Sequence, residues 1–421
     1  MNVRTFRALR YDLSKVDLSR VIVPPYDVIT PEERLAFLER DPHSAIRIEL
    51  PREVGSTGGY EDVAATLSAW RREGVLRHDP SPALYALRQR FEAPGGGTLV
   101  REGFFGLLHL EDYARRIVRP HERTLAGPKA DRLRLLRATR ANLSIVFLLY
   151  EDRENELGKA LASGFAAGPL GVARDGGGIE HALGRIDDRG AQDAIRRFLA
   201  ERPVVIADGH HRYETALAYR DERRAAEPGA GGEAPFDLTL AYFANAYGEG
   251  TLLLPIHRVV RKGPAPDDAT WKARLPGWQE RHVTVSDASR VPAALAELLA
   301  PHGGAPSFAA DDGSGRLRIF WRERHGDELS IRVFHREVVE GVFGLDEAAV
   351  REGALDFPKS ALRAAEDVRA GRGAVALYLN PLAPEDVFRV TGAGEILPQK
   401  STFFLPKLPT GLVFRTFEEP A

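Results

Sequence analysis

Five consecutive residues, Asp208-Gly209-His210-His211-Arg212, set a carboxylate, two imidazoles and a guanidinium around one glycine. Such side chains can hold or move protons and phosphoryl groups: arginine offers a planar fork of donors, histidine titrates near neutrality, and a carboxylate attracts cations. Their setting narrows the chemistry. Pro203, Val204, Val205, Ile206 and Ala207 make an apolar run expected of a strand buried on both faces. Tyr213, Ala216, Leu217 and Arg220 then recur at helical spacing, which predicts a helix from near Arg212. The five residues would therefore occupy the mouth of that helix, where backbone N–H groups and the dipole favour an anion by about 0.3–1 kcal/mol even when exposed. A phosphate suits that place. Asp208 as an N-cap and Gly209 as a turn residue would account for two of the positions without any ligand, but no turn requires two histidines and an arginine.

Three further clusters could join this one. Arg119-Pro120-His121-Glu122-Arg123-Thr124 precedes Asp131-Arg132 at a helix start, and Glu122 is the obvious base for a hydroxyl acceptor. A salt-bridged surface turn is the alternative, since Arg119 and Arg123 flank that glutamate. Near the end of the chain, Pro398-Gln399-Lys400-Ser401-Thr402-Phe403-Phe404-Leu405-Pro406-Lys407 offers cations and hydroxyls, but lacks the glycines of a Walker loop and reads equally as a proline-bracketed edge strand. Val23-Pro24-Pro25-Tyr26-Asp27 is a stiff turn presenting a tyrosine and an aspartate. Metal chemistry competes for His121, Glu122, His210, His211 and Glu214, but adjacent histidines at a helix start diverge by about 100°, unlike the i, i+4 pair of helical zinc sites. Magnesium held by Asp208 together with substrate phosphates agrees better with these residues.

The elements that must position these groups can be read in outline. Thr30, Pro31 and Glu33 open a helix over 31–40 with a capping box, and Val63, Leu67 and Trp70 mark another over 59–74. A half-buried strand is expected at 44–50 and a hairpin at 83–91 and 99–110 around Gly95-Gly96-Gly97. A helix at 129–140 and a strand at 145–149 lead to the strand–turn–helix, and a glycine-rich surface loop is expected at 228–233. Strands follow at 317–321, 331–334, 374–379 and 412–416, with helices at 346–355 and 359–370. The expected class is α+β with mixed sheets. Three segments are expected: 1–110 mixed α/β, 111–250 carrying the phosphate corner, and 251–421 α/β.

Composition excludes several chemistries. The 421 residues contain no cysteine, so disulfides, zinc–thiolate sites, iron–sulfur clusters and a thiol nucleophile are all absent. A net charge of -2 gives no overall attraction to nucleic acid or anionic membrane. The first residues alternate Val3, Phe6 and Leu9 with arginines, unlike a secretory leader, and the cytoplasm is the default expectation.

The sequence Ala207–Leu217 resembles the phosphate-binding motif of the ParB/sulfiredoxin superfamily, and its Asp-Gly-His-His-Arg form is most similar to the free-serine kinases of that group. PPYDVI, PHERT with DRL, DGHHRYETA and PQKSTFFLPK, in that order from Pro24 to Lys407, also resemble the bacterial family called domain of unknown function 1015. The kinase resemblance implies that Asp208, Gly209, His210, His211 and Arg212 hold donor phosphates; Lys400, Ser401 and Thr402 are further candidate phosphate ligands should the later segment fold over the site. The kinase resemblance also implies Glu122 as base; His121 and Arg212 are expected beside it, and Arg123, Thr124, Tyr26 and Asp27 are the candidates around the acceptor. The chain would then transfer a phosphoryl group from ATP, ADP or pyrophosphate, with magnesium, to a small hydroxyl compound, L-serine first. ParB relatives bind CTP and act on DNA, so a nucleotide-gated switch or NTPase is the alternative. A small-molecule substrate, no nucleic acid or membrane partner, and a homodimer complete the expectations.

Overall fold

The structure, a computed structural model, describes residues 1–54, 59–122, 124, 126–227 and 233–418. The chain divides into two units: the first takes residues 1–252, 391–394 and 406–421, the second 253–390 and 395–405. The expected cut at 250 lies two residues from this division, whereas the one at 110 falls within a single sheet.

The first unit is built on a nine-stranded mixed sheet. Its spatial order is Val118–Arg119, Val204–Asp208, Val146–Tyr150, Leu238–Asn245, Thr98–His109, Tyr85–Glu92, Glu180–Leu183 and Gly171–Arg174, with Val3–Arg4 also paired to Thr98–His109. Val204–Asp208 runs parallel to Val118–Arg119, and Leu238–Asn245 parallel to Val146–Tyr150; the remaining pairs are antiparallel. The expected hairpin is the central pair Tyr85–Glu92 and Thr98–His109. Gly96 and Gly97 adopt the positive φ angles its turn needs.

One face of this sheet packs Phe104, Phe243, Leu148 and Ile206 against Ile195 and Leu199 of the helix Arg189–Ala200 and Tyr213 and Ala216 of the helix His210–Ala226. Phe104 and Phe243 stack with centroids 4.9 Å apart. Burying each such side chain contributes about 1.5–3 kcal/mol, so the core fixes the sheet to which the site is attached. The last residues close the unit: Arg415–Thr416 pairs with Ala141–Asn142, and Arg415, 2% exposed, donates to the carbonyls of Leu238 and Pro235.

The second unit carries a six-stranded antiparallel sheet ordered Gln279–Thr284, Arg316–Trp321, Ser307–Asp311, Val375–Leu379, Arg258–Val260 and Leu355–Asp356. The helices Val291–Leu298 and Ala361–Arg369 cover it through Val291, Leu295, Ala365 and Val368. Overall the chain is α+β with several sheets.

Two expected strands are helices. Residues 44–50 contain the helix Ile46–Glu49, in which Ile46, Ile48 and Glu49 are all buried. Ile46 and Ile48 suggest period two, but the residues between them also find interior partners: Arg47 donates to the carbonyl of Leu38, and Glu49 accepts from Ser144. Residues 331–333 lie in the helix Ser330–Val333, and 334 begins the π-helical stretch, Phe334–Glu340, that continues it. Ile331, Phe334 and Val338 are buried at helical spacing, a period visible only in a window wider than the expected strand. Of the expected loop at 228–233, only Glu233 lies among the described residues.

Candidate functional site

The strand Val204–Asp208 shifts register against its neighbour between Ile206 and Asp208, so Ala207 is the extra residue of a bulge. Strict alternation would put Asp208 on the side of Ile206, which lies in the apolar core. The bulge instead sets Asp208 opposite Phe147. Gly209 follows with φ 92° and ψ 29°. A Cβ there would lie 3.4 Å from the Ile145 carbonyl oxygen, an ordinary contact, so glycine is required by conformation and not by space.

The helix begins at His210, two residues before the expected start, and runs to Ala226. Gly209, not Asp208, is its N-cap, and it offers no side chain to the N–H groups of the first turn. Asp208 faces cations instead. Its Oδ2 accepts from Lys407 Nζ at 2.7 Å, and its Oδ1 lies 3.7 Å from Arg212 Nη2. Burial pushes this carboxyl up, but Lys407 and Arg212 together outweigh burial and hold it well below the usual carboxylate range. Arg212 is pushed down by burial and raised more strongly by Asp208 and Asp27. Its Nη1 donates to the Ile145 carbonyl at 2.6 Å and its Nη2 to Asp27 at 3.3 Å. Tyr26 lies beneath two guanidinium groups, Arg132 at 4.5 Å and Arg212 at 5.5 Å, and burial raises its hydroxyl to about 12.

His121 and His210 are each 3% exposed and meet edge to face, with centroids 4.6 Å apart. Their hydrogen bonds assign tautomers. His121 Nδ1 lies 2.6 Å from the Ile206 carbonyl oxygen and must donate to it, which leaves Nε2 as its lone-pair nitrogen. His210 Nε2 accepts from the His121 backbone N–H at 3.3 Å, so the proton of a neutral ring sits on Nδ1, 3.5 Å from Glu122 Oε1. Burial, then the neighbouring His121, push His210 well below its ordinary value, and burial lowers His121 and the half-buried His211 as well. Glu122 itself remains one-third accessible.

His121, Glu122 and His210 are the one group among the described residues whose ligand-type atoms could surround a metal, all within 4.8 Å of one another. The tautomers disagree with that use, since the nitrogen of His210 nearest Glu122 carries a proton. Asp208 does not suit a cation either, as two basic side chains already meet its oxygens. Further along the helix, Glu214 accepts from Thr124 at 2.6 Å and Lys129 at 2.8 Å. Arg123 lies outside the described residues.

Within the first unit the structure thus brings together Tyr26, Asp27, His121, Glu122, Thr124 and Asp208 to Arg212. Lys400, Ser401 and Thr402 belong to the second unit. There the Lys400 carbonyl accepts from Arg258, and Ser401 donates to the Pro398 carbonyl. The lysine of this segment that reaches Asp208 is Lys407, which nothing in the sequence sets apart from Lys400. Arg132, paired with Asp131 and lying over Tyr26, was noticed only as a helix start. Adjacent opposite charges gave no sign that Arg132 would be buried.

These features define an α+β protein with a strand–glycine–helix corner ringed by paired charges. The chain belongs to the family described as protein of unknown function (DUF1015), whose profile matches residues 3–297. None of the curated proteins matches it. It is similar to solved structures of a conserved hypothetical protein from Pyrococcus furiosus, at 14% identity over 75% of this chain and 96% of that chain, with a TM-score of 0.35. It is also similar to a free serine kinase in complex with AMP, at 14% identity over 75% and 92%, with a TM-score of 0.36. SbnI with C-terminal truncation from Staphylococcus aureus shares 12% identity over 73% and 86%, with a TM-score of 0.32.

Proposed function

We propose that this protein is a phosphotransferase that moves a phosphoryl group from ATP, ADP or pyrophosphate to a small hydroxyl acceptor, L-serine being the first to test. The observation that supports this reading best is the Glu122 carboxylate standing at the mouth of an uncapped helix, 3.5 Å from the protonated nitrogen of His210. Phosphoryl transfer needs those two parts together, an anion seat for the donor and a base beside the acceptor hydroxyl.

Donor phosphates would rest against the first turn at His210, His211 and Arg212. The acceptor oxygen would attack the terminal phosphorus, its proton passing to Glu122 while the bond to the donor's bridging oxygen breaks. His210, neutral because it is buried, would orient Glu122 without adding a positive charge that weakens it as a base. Lys407 and Arg212, balanced by Asp208 and Asp27, would stand behind the phosphates as paired charges whose cations can turn to the incoming anion. Magnesium would enter on the donor's phosphates as part of that substrate.

The test incubates the protein with magnesium, each donor and serine, and reads phosphoserine by mass spectrometry. Glu122→Gln is expected to lower turnover by about 10²–10⁴ while calorimetry finds donor binding within twofold of wild type. Near-normal turnover in that variant would remove Glu122 as base. Absence of phosphoserine with every donor, together with CTP binding that changes on adding DNA, would replace the kinase reading by a nucleotide-gated switch.

A further inference from the structure

Behind Asp208 the sheet carries a row of polar side chains that the proposed reaction does not use. His181, Gln89 and Arg101 are direct cross-strand neighbours on three adjacent strands. They are 0%, 0% and 1% exposed. Such a row is costly to bury unless every group finds a partner.

Its hydrogen bonds have a direction. In the turn before Glu180–Leu183, Asp175 Oδ1 accepts from the backbone of Gly177 and Ile179, and its Oδ2 lies 2.9 Å from His181 Nε2. The carboxylate can only accept, so Nε2 carries the proton and His181 Nδ1 is an acceptor facing Gln89 Nε2 at 3.1 Å. The Gln89 oxygen takes two donors from Arg101, through Nε at 3.0 Å and through Nη2. A guanidinium has no acceptor, so this fixes which end of the amide is oxygen. The remaining Gln89 N–H donates to the backbone carbonyl of Lys407 at 3.1 Å. Lys407 in turn places its ammonium 2.7 Å from Asp208. The hydrogen bonds of Arg101 go to the Gln89 amide, and its guanidinium lies 4.6 Å from the Phe147 ring, Phe147 being the residue opposite Asp208.

We propose that Gln89 is the positioning residue for Lys407, fixing the lysine's backbone so that its ammonium meets Asp208. Asp175 and His181 set the acceptor nitrogen that Gln89 needs, and Arg101 sets the orientation of its amide. The inference rests on the proposed function only in that Lys407 and Asp208 stand at the proposed phosphate corner. The contact itself is independent of any substrate.

The test reads Lys407 without an activity assay. Full-length protein is treated with a limiting amine-acetylating reagent, and the rates at Lys407 and Lys129 are followed by mass spectrometry. Gln89→Met removes every hydrogen bond of the amide, whereas Gln89→Glu keeps an acceptor for Arg101 but cannot donate to the Lys407 carbonyl. In both variants Lys407 is expected to react at least threefold faster than in wild type, with Lys129, held by Glu214, unchanged. An unchanged Lys407 rate in either folded variant overturns the proposal, as does equal acceleration at both lysines, which would mark general loosening. Should neither variant fold, the wild type decides: the Gln89 side-chain amide protons must outlast those of exposed glutamines in hydrogen exchange followed by ¹⁵N NMR, and equally fast exchange overturns the assignment. Failure of the serine assay leaves these readouts intact, so the two readings fail separately.

Discussion

Asp208 is held between Lys407 and Arg212 while only partly accessible to water, so the cost of losing its charge can be stated. Asp208→Asn leaves two cations facing a neutral amide, and breaking a buried pair in this way costs on the order of 3 kcal/mol. Urea unfolding should show that loss, and a change below about 0.5 kcal/mol would mean that solvent already screens the cluster. Gly209→Ala keeps ordinary contacts but forces an L-residue to φ 92°, at a cost of about 1–2 kcal/mol. At this scale the sequence was partly legible. The side-chain types of residues 208–212 and Glu122 marked them as candidates, and the structure brings these side chains near one another. The partner of Asp208 was not legible, because Lys400 and Lys407 are alike as letters. Only the path of the chain decides that Lys407 returns to the first unit.

The elements around the corner differ in how plainly they were written. The helix Pro31–Arg40 carries both halves of its capping box, Thr30 Oγ1 accepting from Glu33 N–H and the Glu33 carboxylate accepting from Thr30 N–H. Thr30→Ala should cost about 1 kcal/mol and raise amide exchange in the first turn of that helix, and unchanged exchange would show that tertiary contacts alone hold it. Strong local signals of this kind were read correctly, as were the central hairpin and the helix Glu61–Arg72, which buries Val63, Leu67 and Trp70. The bulge at Ala207 left no mark in the letters, since nothing in PVVIAD distinguishes a flat strand from one that turns its last carboxylate to the other face. Short runs such as 44–50 failed because period two over a few residues is weak information when neighbouring groups supply partners to both sets of side chains.

For the whole molecule, buried imidazoles set the response to acid. His121 and His210 in the first unit are held below 6.5 by burial, and in the second unit burial takes His257 and His335 down to about 4. An imidazole with a lowered folded value stays neutral in the native protein while the unfolded chain takes up its proton. Stability from these groups is therefore complete above about pH 6.5 and falls as pH drops through that value toward the folded ones, by up to about 1.4 kcal/mol per pH unit for each. The depressed Asp208 carboxyl acts in a lower window: its contribution is present above about pH 4 and is lost on further acidification. Unfolding free energies at pH 7.5, 6.0 and 5.0 should decline steeply, and a flat profile over that interval would contradict the buried neutral histidines.

The first unit is interrupted by the second after residue 252 and, apart from the short return at 391–394, resumes at residue 406, ahead of Lys407 and the strand Arg415–Thr416. During translation the ribosome must therefore add about 150 further residues after the main sheet has emerged, a delay of roughly 8–30 s at 5–20 residues per second. Throughout that interval a nascent chain would hold Asp208 without its lysine. A message cut short before codon 407 would yield a protein with all nine strands of the main sheet but no ammonium beside Asp208, so the charge cluster can form only after codon 407 has been read.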